Sequence, residues 1–184
     1  MENTRIWSVI TIGIITVMLL GNKKVRVFSI FVEQLKVFRN ARTGKYSAWD
    51  FLCFLGFPMI LAWIFTFKFC LIVKCGLAEL LTTIFSLIFT ILFGFASILI
   101  GKVNSQNHIE KQITCETFVS IVTAMLLALI ATIVSIVLTQ ISMGQTSVVL
   151  SGIIYFISFV EIMLLLMITK RTFVVYRNYA NTNE

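Results

Sequence analysis

The sequence predicts an all-α protein, a polytopic transmembrane helical bundle with four full spans, a short N-terminal hydrophobic segment and an amphipathic helix on the cytoplasmic face. Three observations predict it. Hydrophobic residues fill 59% of the 184 positions and charged residues 12%, against about 45–50% and about 25% in soluble domains, and mean hydropathy is +0.99. Apolar stretches that meet the ~20 residues needed to cross ~30 Å of hydrocarbon recur at 48–73, 77–101, 118–140 and 147–169. The polar residues between them are too few for an independent soluble domain of ~50 residues, so 1–184 reads as a single membrane domain.

The first element is "IWSVITIGIITVMLL", 6–20, shorter than the ~20 residues of a full span. Its leader MENTR balances one acid against one base, and Gly21-Asn22-Lys23 is no small-residue cleavage site. The segment is therefore expected to be retained, as a short span or as an arm on the bundle. In the basic stretch 23–46, Phe28, Phe31, Val32, Leu35 and Phe38 share one side of a helical wheel. Arg26, Ser29, Glu33, Lys36 and Asn40 share the other. An interfacial helix lying on lipid and a connector packed on protein both fit that pattern.

Ser47 and Asp50 resemble a capping box that starts the next helix. Within 48–73 the only proline, Pro58, stands beside Gly56 and predicts a kink, because proline removes a backbone donor and crowds the preceding turn. Lys74-Cys75-Gly76 reads as a tight hairpin, "KVNSQNHIEKQITCET" as a long wet loop, "ISMGQTS" as an uncharged link and 170–184 as a polar tail.

Orientation follows from the basic residues. Lys23, Lys24, Arg26, Lys36, Arg39, Arg42 and Lys45 fall on the same side as Lys102, Lys111, Lys170, Arg171 and Arg177. Only Lys68, Lys74 and Arg5 remain for the other side. The positive-inside bias places the amphipathic helix, the polar loop and the C-terminus in the cytoplasm.

Among groups able to carry function, Glu161 stands first. It lies nine residues before Lys170, or ~13 Å along a helix, close to mid-membrane, where a carboxylate costs at least ~2.5 kcal/mol to insert. Ser158, Tyr155 and Ser151 trail back from it at spacings of three and four. This seam either joins two helices through hydrogen bonds or lines a proton- or ion-sensitive pore. At the outer interface, Lys68 or Lys74 is expected to pair with Glu79.

Small residues every four positions, Thr82, Ser86, Thr90 and Gly94, then Ser120, Ala124, Ala128 and Thr132, predict close helix packing within or between chains. The seven inner-face bases from Lys23 to Lys45 suit anionic headgroups or a soluble partner. Nucleic acid is disfavoured, since no Gly-rich phosphate loop accompanies them.

Catalysis finds little footing. One histidine, four cysteines without a CxxC, no GxSxG and no HExxH predict neither an enzyme nor a metal or cofactor. In size, span number and basic inner face the layout resembles the small multi-pass membrane subunits of bacterial antiphage modules, such as the Kiwa-type membrane subunit. The resemblance transfers no functional residue. The small extramembrane mass and the regular small-residue faces predict a lateral homo-oligomer, expected as trimer to pentamer, and the resemblance implies a sensor, effector or channel of the bacterial inner membrane with a cytoplasmic partner. The alternative is a small transporter, or a subunit of a larger complex, with Glu161 in a proton or ion path.

Overall fold

The structure, a computed structural model, describes residues 27–37, 48–102, 108–140 and 145–182. The segment 6–20, the basic residues Lys23, Lys24, Arg26, Arg39, Arg42 and Lys45, and the cap at Ser47 lie outside the described residues. Within them the chain is almost entirely helical and contains no strand: α1 is Val27–Val37, α2 Ala48–Phe51, α3 Phe57–Trp63, α4 Cys75–Lys102, α5 His108–Gln140 and α6 Gln145–Thr182. Three stretches inside α4, α5 and α6, Cys75–Ile100, Lys111–Gln140 and Ser147–Val174, are long and apolar enough to cross a membrane.

Two π-helical segments, Leu52–Gly56 and Ile64–Lys68, flank α3. The first answers Pro58. Proline lacks the N–H of an α-helical bond, and a wider turn in which the Phe57 N–H reaches back five residues to the Leu52 carbonyl precedes it. Helical angles persist through the junctions, φ −60° and ψ −42° at Phe51 and φ −62° and ψ −45° at Trp63. The expected break is thus absorbed as a change in hydrogen-bond register.

The second π segment ends the helix at Lys68, earlier than the expected 73. Cys70 adopts φ 49°, a left-handed conformation unusual for a side chain with a Cβ. The link to α4 is therefore the irregular run 69–74, not the tight Lys74-Cys75-Gly76 hairpin. It is fastened from afar: the Val73 N–H donates to the Ser151 Oγ at 3.0 Å, and that hydroxyl donates to the Ser147 carbonyl at 2.7 Å. Ser151→Ala leaves a buried N–H unpaired at a cost of about 1–3 kcal/mol, so the variant should unfold at a lower temperature in detergent, with its helical content unchanged.

α5 and α6 form the inner pair. α4 and α1 pack on α5, while α3 and its flanking π segments pack on α6. The buried face of α5 carries Ser120, Ala124, Ala128, Ala131 and Ser135, all 0% exposed, and such small side chains let neighbouring backbones come close. The core has two clusters stacked along the bundle. One joins Val73, Ala78 and Phe85 to Ala131, Leu138, Ile154 and Ile157; the other joins Leu92, Ala96 and Leu99 to Ile121, Ala124, Val160, Leu164 and Ile168. Rising numbers on α4 meet falling numbers on α5 and rising numbers on α6, so consecutive helices run antiparallel.

The small-residue line on α4 points elsewhere. Ser86, Thr90 and Gly94 are exposed and Thr82 half-buried. Each hydroxyl of the line donates to the carbonyl four residues back: Thr82 to Ala78, Ser86 to Thr82, Thr90 to Ser86. That bond hides the polar atom within its own helix, and a side chain at Gly94 would meet nothing within 4 Å. Within the chain, α4 turns Phe85, Leu92, Ala96 and Leu99 inward instead.

Two helix ends are longer than the sequence suggests. Residues 108–117, expected in a wet loop, open α5, and residues beyond 169, expected in a tail, continue α6. Tertiary contacts explain the extension. Thr114 and Thr117 are buried, and the Arg171 Nη1 lies 3.5 Å from the Glu116 Oε2, tying one extension to the other.

α1 divides into three sectors. Gln34 is buried with Ile30, Phe31 and Val37 half-buried beside it, Val32 and Leu35 form an exposed apolar strip, and Ser29, Glu33 and Lys36 an exposed polar one. Since α1 packs on α5, the helix faces protein on one side, and a second apolar strip is exposed. Placing Phe31 with Val32 and Leu35 on one side corresponds only in part, because the side turned to the bundle centres on a glutamine. Lys36 is held by Glu33 at 2.6 Å.

Candidate functional site

Glu161 lies on the inward face of α6, on the line Ile154, Ile157, Leu164 and Ile168, and is 1% exposed. The two core clusters adjoin at its level: Ile157 belongs to one, Val160 and Leu164 to the other. Ile121 and Ala124 of α5 share the second cluster, flanked in sequence by Thr117, Ser120 and Thr123, all buried. Those three hydroxyls turn back on α5, donating to the carbonyls of Ile113, Glu116 and Val119 at 2.7, 3.0 and 2.9 Å. Neither carboxyl oxygen of Glu161 has a hydrogen-bond partner among the described residues.

The premise that this acid is sheltered by protein is met. The expectation that it joins two helices by hydrogen bonds is not. The neighbouring residues on its face of α6, Ile157 and Leu164, are apolar, and leaving a buried polar group unbonded costs ~2–7 kcal/mol depending on the reference state.

The other members of the predicted seam have separate tasks. Ser151 holds the 69–74 link, and Ser158 donates to the Ile154 carbonyl at 2.7 Å. Tyr155 packs its ring against Phe65 at 5.8 Å, with Phe159 on the same phenylalanine at 5.6 Å. The four residues do not form a connected hydrogen-bond chain among the described residues.

The outer pair is not formed. Lys68, Lys74 and Glu79 are all exposed, and among the described residues neither lysine comes within 4.0 Å of the carboxylate. Glu79 instead accepts from the Cys75 thiol at 3.5 Å. Exposed charges can point into water separately, and ordering two long side chains gains little there.

Sequence reasoning missed three residues whose buried polar atoms have no hydrogen-bond partner among the described residues. Thr66 is 3% exposed in the second π segment, its hydroxyl unpaired, and a Cβ at Gly152 would sit 3.3 Å from that oxygen. Gly152 is what allows the close approach of this segment to α6. Ser135 and Gln34 are likewise buried without a bond. The signal for Thr66 was present, a small polar residue four positions from Ala62 on the buried side of α3; for Gln34 the basic stretch obscured it.

Toward the C-terminal end of α6 a crevice of about 480 Å³ opens between α6, the start of α5, the end of α1 and the first π segment. Apolar side chains line it, with Glu116, Lys170 and Arg171 at one end. Among the described residues no three His, Cys, Asp or Glu are grouped as metal ligands. The chain matches no protein-family model, no curated protein and no solved structure.

Proposed function

We propose that the protein is a non-enzymatic, homo-oligomeric component of the bacterial inner membrane, with four spans and a cytoplasmic C-terminus, that senses or perturbs the membrane together with a soluble cytoplasmic partner in phage defence. In this reading Ala48–Lys68, its helical angles continuous through both π segments, is the additional span, about 30 Å long at 1.5 Å per residue. The observation that carries the function is Glu161, 1% exposed and unpaired. A bundle held only by packing gains nothing from such a group, and an intramembrane ionisable residue marks a functional position by default. Its place where two core clusters adjoin supports a role in a change of state, because a charge or a water admitted there alters how one half of the bundle seats on the other.

The test is Glu161→Gln in proteoliposomes. The sensor reading expects altered dye or ion leak under membrane stress with the native oligomer mass retained. An oligomer that dissociates, with leak unchanged, would return Glu161 to a structural role.

A second reading, a small transporter with Glu161 in a proton or ion path, is favoured by Thr66. Its unpaired hydroxyl is buried in a π segment, and π-bulges and interrupted spans recur at functional and transport sites. Under that reading Glu161→Gln and Thr66→Val would each abolish coupled ion uptake without changing stress-induced leak.

A further inference from the structure

The inner-end crevice joins two chemistries in axial order. Lys170 and Arg171 lie one to two helical turns closer to the cytoplasmic end of α6 than Met163 and Met167, which line its wall with Phe54 and Ile113. The cationic end is only partly compensated. Arg171 is 21% exposed, its Nη1 sits 3.5 Å from the Glu116 Oε2 and has no hydrogen-bond partner among the described residues, and Lys170 is exposed. One carboxylate thus faces two cations, leaving an unsatisfied guanidinium donor at the head of an apolar trough.

We propose that this crevice is a binding site for an anionic phospholipid of the inner leaflet, with the phosphate held by Lys170 and Arg171 and an acyl chain laid along Met163, Met167 and Phe54. Arginine suits the role because its planar fork can bond a phosphate oxygen while one nitrogen stays near Glu116. The volume of about 480 Å³ suits a headgroup and the first part of a chain, and lies within the range of about 300–1,000 Å³ for small-molecule sites. A water-soluble phosphate ester has no use for the apolar trough, and a zwitterionic lipid leaves the excess positive charge uncompensated. The site uses none of the basic residues of 23–46, meeting that stretch only at Val37, and its placement in the inner leaflet rests on the orientation proposed above.

The experiment measures the thermal unfolding midpoint of the full-length protein in mild detergent against added phosphatidylglycerol, phosphatidylcholine and glycerol phosphate. Phosphatidylglycerol should raise the midpoint saturably, and the other two should not. Lys170→Gln, at an exposed position that folding does not depend on, should weaken the apparent affinity about fivefold, the effect of removing one basic residue near an anionic lipid. Met167→Trp, which fills the trough and leaves both cations in place, should reduce it by at least as much. An equal response to phosphatidylcholine, a response to glycerol phosphate alone, or unchanged affinity in Lys170→Gln and Met167→Trp would overturn the assignment.

Discussion

Glu161→Leu will unfold at a higher temperature than the native protein and will not respond to membrane stress. Leucine is close to glutamate in volume, and the buried residues on the same face of α6, Ile154, Ile157, Leu164 and Ile168, are apolar. The native carboxyl has no hydrogen bond to lose among the described residues. Replacing a buried unsatisfied group with an apolar one of similar shape is neutral or favourable, by about 1–4 kcal/mol in comparable buried sites. For a chain of this length each kcal/mol shifts the midpoint by about 2–4 °C. A scanning thermal measurement in detergent reads the first half of the prediction and a liposome leak assay the second. Lower stability in Glu161→Leu would mean that the acid holds the bundle together, through a partner chain or an internal water, and the functional assignment would lose its basis.

The acid's burial was legible because hydrocarbon tolerates a carboxylate so poorly that depth alone implied shelter. Its lack of a partner was not. Whether Ser120 or Thr123 reaches across to Glu161 or back to its own helix depends on rotamers, and a hydroxyl four residues after a free carbonyl oxygen has the local option always at hand. The same ambiguity holds for α4. Thr82, Ser86, Thr90 and Gly94 have the spacing of an interface, yet Phe85, Leu92, Ala96 and Leu99 fill the interface, because periodicity marks a stripe without saying which neighbour it meets.

Hydropathy found the apolar parts of α4, α5 and α6 but stopped at the first polar residues, whereas the helices continue where Glu116 and Arg171 tie their ends together. Pro58 gave the location of a disturbance, and its form, a π turn, came from which carbonyl the Phe57 N–H could still reach. The Lys68, Lys74 and Glu79 pairing failed for the converse reason: charges in water have too weak a preference for sequence to fix their partners.

The second large effect separates the two small-residue lines. Ala128→Leu will destabilise the chain, whereas Gly94→Leu will not. Ala128 is 0% exposed in the cluster that packs Phe85 of α4 and Ile154 of α6 onto α5. Three added carbons have no room there, and overpacking of this kind costs about 1–3 kcal/mol and sometimes more. At Gly94 a new side chain has open space, and leucine favours the helix over glycine by several tenths of a kcal/mol. Thermal unfolding of both variants in detergent measures the contrast. Native mass on the same samples then asks what the outward line of α4 is for. If Gly94→Leu keeps its stability but loses the native oligomer mass, Ser86, Thr90 and Gly94 form a contact between chains, and the homo-oligomer gains a defined face. If mass and stability both hold, the line faces lipid, and its hydroxyls, each bonded to its own helix, are tolerated there because they expose almost no polar surface to the acyl chains.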